Sequence, residues 1–237
     1  MVTTGIQRTD QRTPALIAGI SLIIMTLASF FSYGYVHASL VVQGDASATF
    51  HNLMSSSTLF KAEILGWVII LVSDIVVAWA FYMFLKPMNN GLSLLGAWFR
   101  LTYAAILGIA ILNLLFVWLL ANSADPLSIS DQLQAQVMLY LDAFESVWSI
   151  GLIVFGGHLL IVGYVAVKSN GIPKIISILL VIAGVGYMLI HLCNAFLPQF
   201  DGVITVLKFI FTVPMIVGEL GFGLWLLFKG GKAPITA

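Results

Sequence analysis

The sequence predicts an all-α protein, a bundle of six transmembrane helices with both termini cytoplasmic, and three observations carry that prediction. Of 237 residues, 60% are hydrophobic and only 8% charged, against roughly 25% charged in a soluble domain. The apolar residues fall into six runs, each long enough to cross a hydrocarbon core of about 30 Å, which takes roughly 20 helical residues. The alternating segments of about ten residues that build a membrane barrel are absent. With a mean hydropathy of +1.06, the chain is excluded from the ordinary cytosolic enzymes and from disordered proteins. Ten Lys and Arg against ten Asp and Glu leave a formal net charge of zero, so no global field draws nucleic acid or an anionic substrate.

Each element follows from the pattern. Met1–Pro14 is polar and reads as a cytoplasmic tail, residues 1–14. Ala15–Val42 is far longer than the signal-peptide core of about 7 to 15 residues, so it is expected to stay as the first span. A polar outer loop, Gln43–Thr58, precedes the second span, Leu59–Leu85, and Lys86-Pro87-Met88-Asn89-Asn90-Gly91 supplies turn residues before the third, Leu92–Ala121. After the break Asn122–Leu133, the fourth span, Gln136–Val167, carries an amphipathic extension. In Asp131–Trp148, Leu133, Val137, Leu141, Phe144 and Trp148 share one face and Gln134, Met138, Asp142, Glu145 and Ser149 the other, which predicts a helix projecting beyond the bilayer. Lys168–Lys174 leads to the fifth span, Ile175–Leu197, and Pro198–Val203 to the sixth, Ile204–Phe228. Residues 15–228 thus form a single transmembrane domain, and 229–237 a cytoplasmic tail.

Orientation rests on Lys and Arg. Arg8, Arg12, Lys86, Lys168, Lys174, Lys229 and Lys232 fall on one side of a six-span chain, and Lys61 and Lys208 on the other, which places both termini inside. Asp45, Asp125, Asp131 and Asp201 fall in the outer loops. Trp98, Trp118, Trp148 and Trp225 lie near span ends, where amphipathic rings anchor at the interface. The single cysteine, Cys193, has no intrachain disulfide partner.

Ionisable residues inside a membrane are costly and so are candidates for function. Arg100 lies at the cytoplasmic edge of a span taken as Leu101–Ala121, where its side chain can snorkel to the headgroups. Glu63 and Lys208 sit at outer edges, and Asp142 and Glu145 on the polar face of the fourth helix, so an interfacial reading fits all five. Asp74 and Glu219 lie within about 5 Å of their span midpoints at 1.5 Å per residue and cannot be moved out. His158 is deep in the fourth span and His191 in the outer half of the fifth; either can serve as a ligand or as a structural hydrogen-bonding group. Helical spacing puts Glu63 with Asp74, Lys208 with Glu219, and Gly184, Tyr187, His191 and Asn194 on shared faces. These three stripes either line an internal polar path or merely pair to fix helix register. Pro214, with Gly218, Gly221 and Gly223, and the pair Gly156-Gly157 mark a hinge, a pocket or close helix packing.

Several chemistries leave no trace. No nucleophile elbow, His-Glu-x-x-His zinc pattern, phosphate-binding lysine loop, dinucleotide glycine fingerprint or two-haem histidine pairing occurs. A metal would need ligands assembled across helices from His37, Asp74, Glu145, His158, His191 or Glu219, and their spacing gives no support, so no metal site is assigned. No cofactor is indicated.

Gly44-Asp45-Ala46-Ser47-Ala48-Thr49 with Asn52, Lys86-Pro87-Met88-Asn89, Phe99-Arg100, and Phe155-Gly156-Gly157-His158-Leu159-Leu160 with Gly163-Tyr164 stand in an order and spacing that resemble a bacterial membrane family labelled domain of unknown function 4386. The match continues through Ser169, Ile172-Pro173-Lys174, Ala183-Gly184 with Tyr187, Pro198, Gly218-Glu219, Leu224-Trp225-Leu226-Leu227 and Gly230. Lys174 stands where the family often has arginine. The resemblance implies a six-helix integral membrane protein. It draws attention to Arg100, His158 and Glu219, and to Asp45 and Asn52 as turn or capping residues, while Asp74 rests on depth alone.

The reading that follows is a multi-pass protein of the cell membrane, non-enzymatic, that binds or moves a small molecule or lipid at a polar site drawn from Asp74, Arg100, His158, His191 and Glu219. Membrane lipid is the expected partner and nucleic acid is not. An intramembrane hydrolase using a metal or a Glu/His-activated water and a scaffold whose charges only hold helices together are the alternatives.

Overall fold

A computed structural model describes residues 4–123 and 130–232, with side chains from residue 11 onward. Every regular element among them is helical: α1 (Thr4–Ser29), α2 (Ala38–Leu40), α3 (Ala46–Ser55), α4 (Ser57–Leu85), α5 (Asn90–Ser123), α6 (Asp131–Lys168), α7 (Lys174–Phe196) and α8 (Asp201–Phe228). A π-helical segment, Phe30–His37, joins α1 to α2, and a 3-10 turn, Pro198–Phe200, precedes α8. Six stretches are long and apolar enough to span a bilayer: Gln11–Leu40, Ser57–Leu85, Asn90–Ser123, Asp131–Lys168, Lys174–Phe196 and Pro198–Phe228. The six predicted spans are therefore all present, and the chain is a multi-pass membrane protein. Asp125 and parts of both predicted tails lie outside the described residues, as does the side chain of Arg8. The backbone of the predicted N-terminal tail is helical from Thr4 and continues through Pro14.

The chain divides into two compact units, the first from residues within 1–24, 73–104 and 149–237, the second from 25–72 and 105–148. In the first, small residues set the helix spacing. A Cβ on Gly156 would stand 2.6 Å from Met188 Cγ and 2.7 Å from the Gly184 carbonyl oxygen, and one on Gly184 would stand 2.8 Å from the Gly156 oxygen, so α6 and α7 meet backbone to backbone. Gly218 faces Leu179 on α7 and Gly223 faces Leu22 on α1. Close packing, rather than a hinge, accounts for these glycines, and α8 runs unbroken through Pro214. Arg12 ties the ends of this unit together: Nη1 donates to the carbonyls of Leu226 (3.1 Å) and Gly230 (2.7 Å), and Nη2 to Leu227 (2.6 Å). These are carbonyls that a helix C-terminus leaves without intrahelical partners. Lys174 does the same for the end of α6, donating to the carbonyls of Val167 and Ser169.

The second unit contains the stretch expected as an outer loop, and it is ordered by capping. Asp45 caps α3, its carboxylate accepting from the Ala48 N–H at 2.9 Å, the arrangement that satisfies an orphan donor of the first turn. Asn52 reaches back from α3 to the Leu40 carbonyl (3.1 Å), and Thr49 exchanges hydrogen bonds with the backbone of Val42. Both residues flagged by the family resemblance thus hold the turn. On the apolar face of the α6 extension Val137, Leu141 and Phe144 are buried, and Asp142 of the polar face is exposed as predicted, whereas Glu145, expected at the interface, is only 36% exposed at its side chain and lies 3.6 Å from His37.

Large apolar side chains face outward along the spans, including Leu27, Trp79, Ile109 and Phe209, which is 86% exposed. In water such a surface would drive association; in a bilayer it is the expected lipid face.

Candidate functional site

The polar centre of the first unit is built on Arg100. The residue sits ten positions inside α5 and is 1% exposed, so the snorkelling expectation is overturned. The helix begins at Asn90, capped by the Asn89 side chain accepting from the Leu92 N–H at 2.9 Å, about three turns before the span assumed from Leu101. That extra length carries Arg100 inward. Its guanidinium Nη2 lies 2.7 Å from Asp74 Oδ1, and Nη1 lies 3.1 Å from His158 Nε2. The rings of Phe81 and Phe155 face its Cζ at 5.7 and 5.2 Å from their centroids, an apolar setting in which a cation interacts with the ring quadrupoles.

Asp74 and His158 are both fully buried. Nδ1 of His158 is 2.8 Å from the Gly96 carbonyl oxygen, which can only accept, so the ring proton lies on Nδ1 and Nε2 is left to accept from Arg100. The imidazole is held further by Phe81, stacked at 5.8 Å with an interplanar angle of 7°. Asp74 is less well served. Oδ1 meets Arg100 as an ion pair, and Oδ2 has no hydrogen-bond donor among the described residues.

Glu219 is half-buried on α8 and accepts a hydrogen bond from the Tyr187 hydroxyl. It lies within electrostatic range of both Arg100 and Asp74. Tyr187 packs edge-on against Phe155 (5.2 Å, 88°) and stacks on His191 (6.2 Å, 16°), whose Nδ1 is 2.8 Å from Ser149 Oγ. Of the five residues singled out from the sequence, Asp74, Arg100 and His158 are in direct contact, Glu219 is electrostatically coupled to them, and His191 joins at the margin through Tyr187. Missing from that set were Gly96, Phe81 and Phe155. An acceptor carbonyl has no side-chain signature, and although Phe155 falls within a motif that carries the family resemblance, phenylalanine is too common in this chain, with sixteen copies, for composition to mark either ring as part of a site.

The predicted stripes separate. Asp74 goes to Arg100, whereas Glu63, expected at an outer edge, is fully buried and pairs with His37 at 2.8 Å. Lys208 is exposed, as expected, while Glu219 eleven residues later turns to Tyr187. Among the described residues no group of three His, Cys, Asp or Glu side chains converges as a metal site.

Comparison with known proteins gives the chain its relatives. The family described as "Domain of unknown function (DUF4386)" matches residues 17–230. The chain belongs to this family. A protein of Archaeoglobus fulgidus, itself described as an uncharacterised protein, is 31% identical over 170 residues, covering 72% of this chain and 85% of its own length. No solved structure matches the chain. The matched region contains all of Asp74, Arg100, His158, His191 and Glu219.

Proposed function

We propose that this family member is a non-enzymatic, multi-pass protein of the cell membrane, with both termini cytoplasmic, that binds or carries a small molecule or lipid at the Asp74–Arg100–His158–Glu219 centre. The observation that carries the reading is the charge and hydrogen-bond balance there. One guanidinium faces two carboxylates, and Asp74 Oδ2 is buried without a donor among the described residues. A buried acceptor left without a partner costs about 1 to 3 kcal/mol, more when charged, and a ligand that brings a hydroxyl, amine or other donor group removes that cost. The partial exposure of Glu219 on α8, where it is tethered through Tyr187, supports entry of the ligand at this residue. Phe81 and Phe155 suit an apolar body attached to that donor.

The scaffold reading has one observation in its favour, because Arg100 already joins α4, α5 and α6 through Asp74 and His158. Ligand screening by thermal shift separates the two. A ligand present at about a hundred times its dissociation constant stabilises its target by about 2.7 kcal/mol. Compounds with an apolar body and a donor head are expected to raise the unfolding temperature of the wild-type protein and to lose that effect in Asp74→Asn with Glu219→Gln. If the doubly substituted protein folds and every stabilising compound acts on it as on the wild type, the proposal fails.

A further inference from the structure

The second unit holds a separate cluster of ionisable side chains that shares no residue with the Arg100 centre and stands apart from the function proposed there. Where α1 widens into the π-helical segment Phe30–His37, Tyr33 and His37 come to stack on one another at 5.4 Å and 22°. Such widened turns are uncommon and occur frequently at functional sites. His37 is 7% exposed, and each of its ring nitrogens faces a carboxylate: Nδ1 is 2.8 Å from Glu63 Oε1 on α4, and Nε2 is 3.6 Å from Glu145 Oε1 on α6. Tyr33 donates to Glu145, and Trp67 Nε1 lies 3.5 Å from Glu63 Oε1. The titratable groups facing His37 are thus Tyr33 on its own helix, Glu63 from α4 and Glu145 from α6.

Proton counting shows what this arrangement lacks. An ionised carboxylate only accepts, so two nitrogen-to-carboxylate contacts need two hydrogens, and a neutral imidazole has one. The 2.8 Å contact takes that hydrogen, and the 3.6 Å contact is left open. With a neutral ring the three side chains carry two formal negative charges, and burial of charge is costly unless it is paired. The second carboxylate oxygen of Glu63, Oε2, is fully buried with no donor among the described residues, an independent sign that the cluster is short of hydrogen. Glu145, 36% exposed at its side chain, is the accessible member.

We propose that Glu145, His37 and Glu63 form a proton-binding site, entered at Glu145 and closed when the His37 ring carries a hydrogen on both nitrogens. A proton reaching Glu145 passes to Nε2 and draws Glu145 toward the ring, and the Nδ1 hydrogen is then shared with Glu63 Oε1. One proton is taken up and none is lost, so the net charge of the cluster rises by one. Chains of Asp, Glu and His in membrane spans are the usual carriers of such exchange.

The test uses the full chain, labelled with nitrogen-15 in its histidine rings and placed in lipid nanodiscs. The chain has four histidines, and the His37 signals are assigned by their loss in His37→Gln. The expected result is that the His37 ring passes from one N–H to two on mild acidification. In Glu145→Gln the ratio of doubly to singly protonated ring at a fixed pH should fall about tenfold, the equivalent of one pH unit. Glu63→Gln should lower it as well, and if that buried substitution fails to fold, the half-exposed Glu145→Gln decides alone. The proposal is overturned if the ring keeps a single N–H throughout the pH range in which the protein stays folded, or if Glu145→Gln leaves the ratio unchanged. It is overturned equally if the signals follow added sodium at constant pH instead of acidity, which would make the site one for a metal cation.

Discussion

Replacing Arg100 by methionine removes the one cation beside a carboxylate that is fully buried, and the size of the effect can be worked from the geometry. At 2.7 Å and an effective dielectric constant of about 20, the Coulomb attraction of the pair is ~6 kcal/mol. Desolvation of both ions offsets much of this in the intact protein, but removing one partner leaves the other charge buried and uncompensated, which costs about 3 to 5 kcal/mol. His158 Nε2 loses its donor in the same step. Changing Asp74 to leucine along with Arg100 to methionine removes both charges, so the double variant should recover most of the loss, with a coupling of at least about 2 kcal/mol between the sites. Equilibrium unfolding of the purified protein in detergent, run as a four-member cycle, measures each quantity. A cost below about 1 kcal/mol for Arg100→Met, the range of solvent-exposed pairs, would refute the buried pairing, and so would strict additivity of the two single changes.

Helix packing supplies a matched pair of tests. Gly156→Ala forces a methyl to 2.7 Å from the Gly184 carbonyl oxygen and should cost about 1 to 3 kcal/mol, whereas Gly221→Ala meets nothing within 4 Å and should be neutral or stabilising by up to about 1 kcal/mol through helix propensity; thermal unfolding compares them. Arg12→Ala releases three carbonyls at the end of α8 and should speed hydrogen exchange at residues 226–232 while leaving α3 unchanged. Asp45→Ala removes the cap of α3 at about 1 kcal/mol, read as faster exchange across Ala46–Ser55.

The sequence carried the architecture further than the site, for physical reasons visible in particular residues. Span number follows from hydropathy because a bilayer demands long apolar helices, and the Asp45 cap is a local effect over three residues. Depth was harder. An isolated charge minimises its cost near a span edge, which is where the sequence alone puts Arg100 and Glu63, yet each has a partner from another helix that makes burial tolerable: Asp74 for one and His37 for the other. Such pairings join residues 26 positions apart in both cases, and no helical periodicity announces them. The π-helical turn that stacks Tyr33 on His37 is similarly hidden, since the lone Gly34 within it does not distinguish a widened turn from an ordinary helical one. Among the glycines, Gly156 and Gly218 resolve to close packing because their neighbours on α7 stand within 3.1 Å of a would-be Cβ, a distance only the folded chain defines.

Native mass spectrometry of the protein released from detergent, wild type beside Asp74→Asn with Glu219→Gln, decides between a binding site and a bare scaffold, and it does so with the ligand still unidentified. An added organic or lipid mass on the wild type, lost from the folded variant, is the result expected of a binding site at the Arg100 centre. A bare mass for both proteins, or the same added mass retained by both, would contradict it.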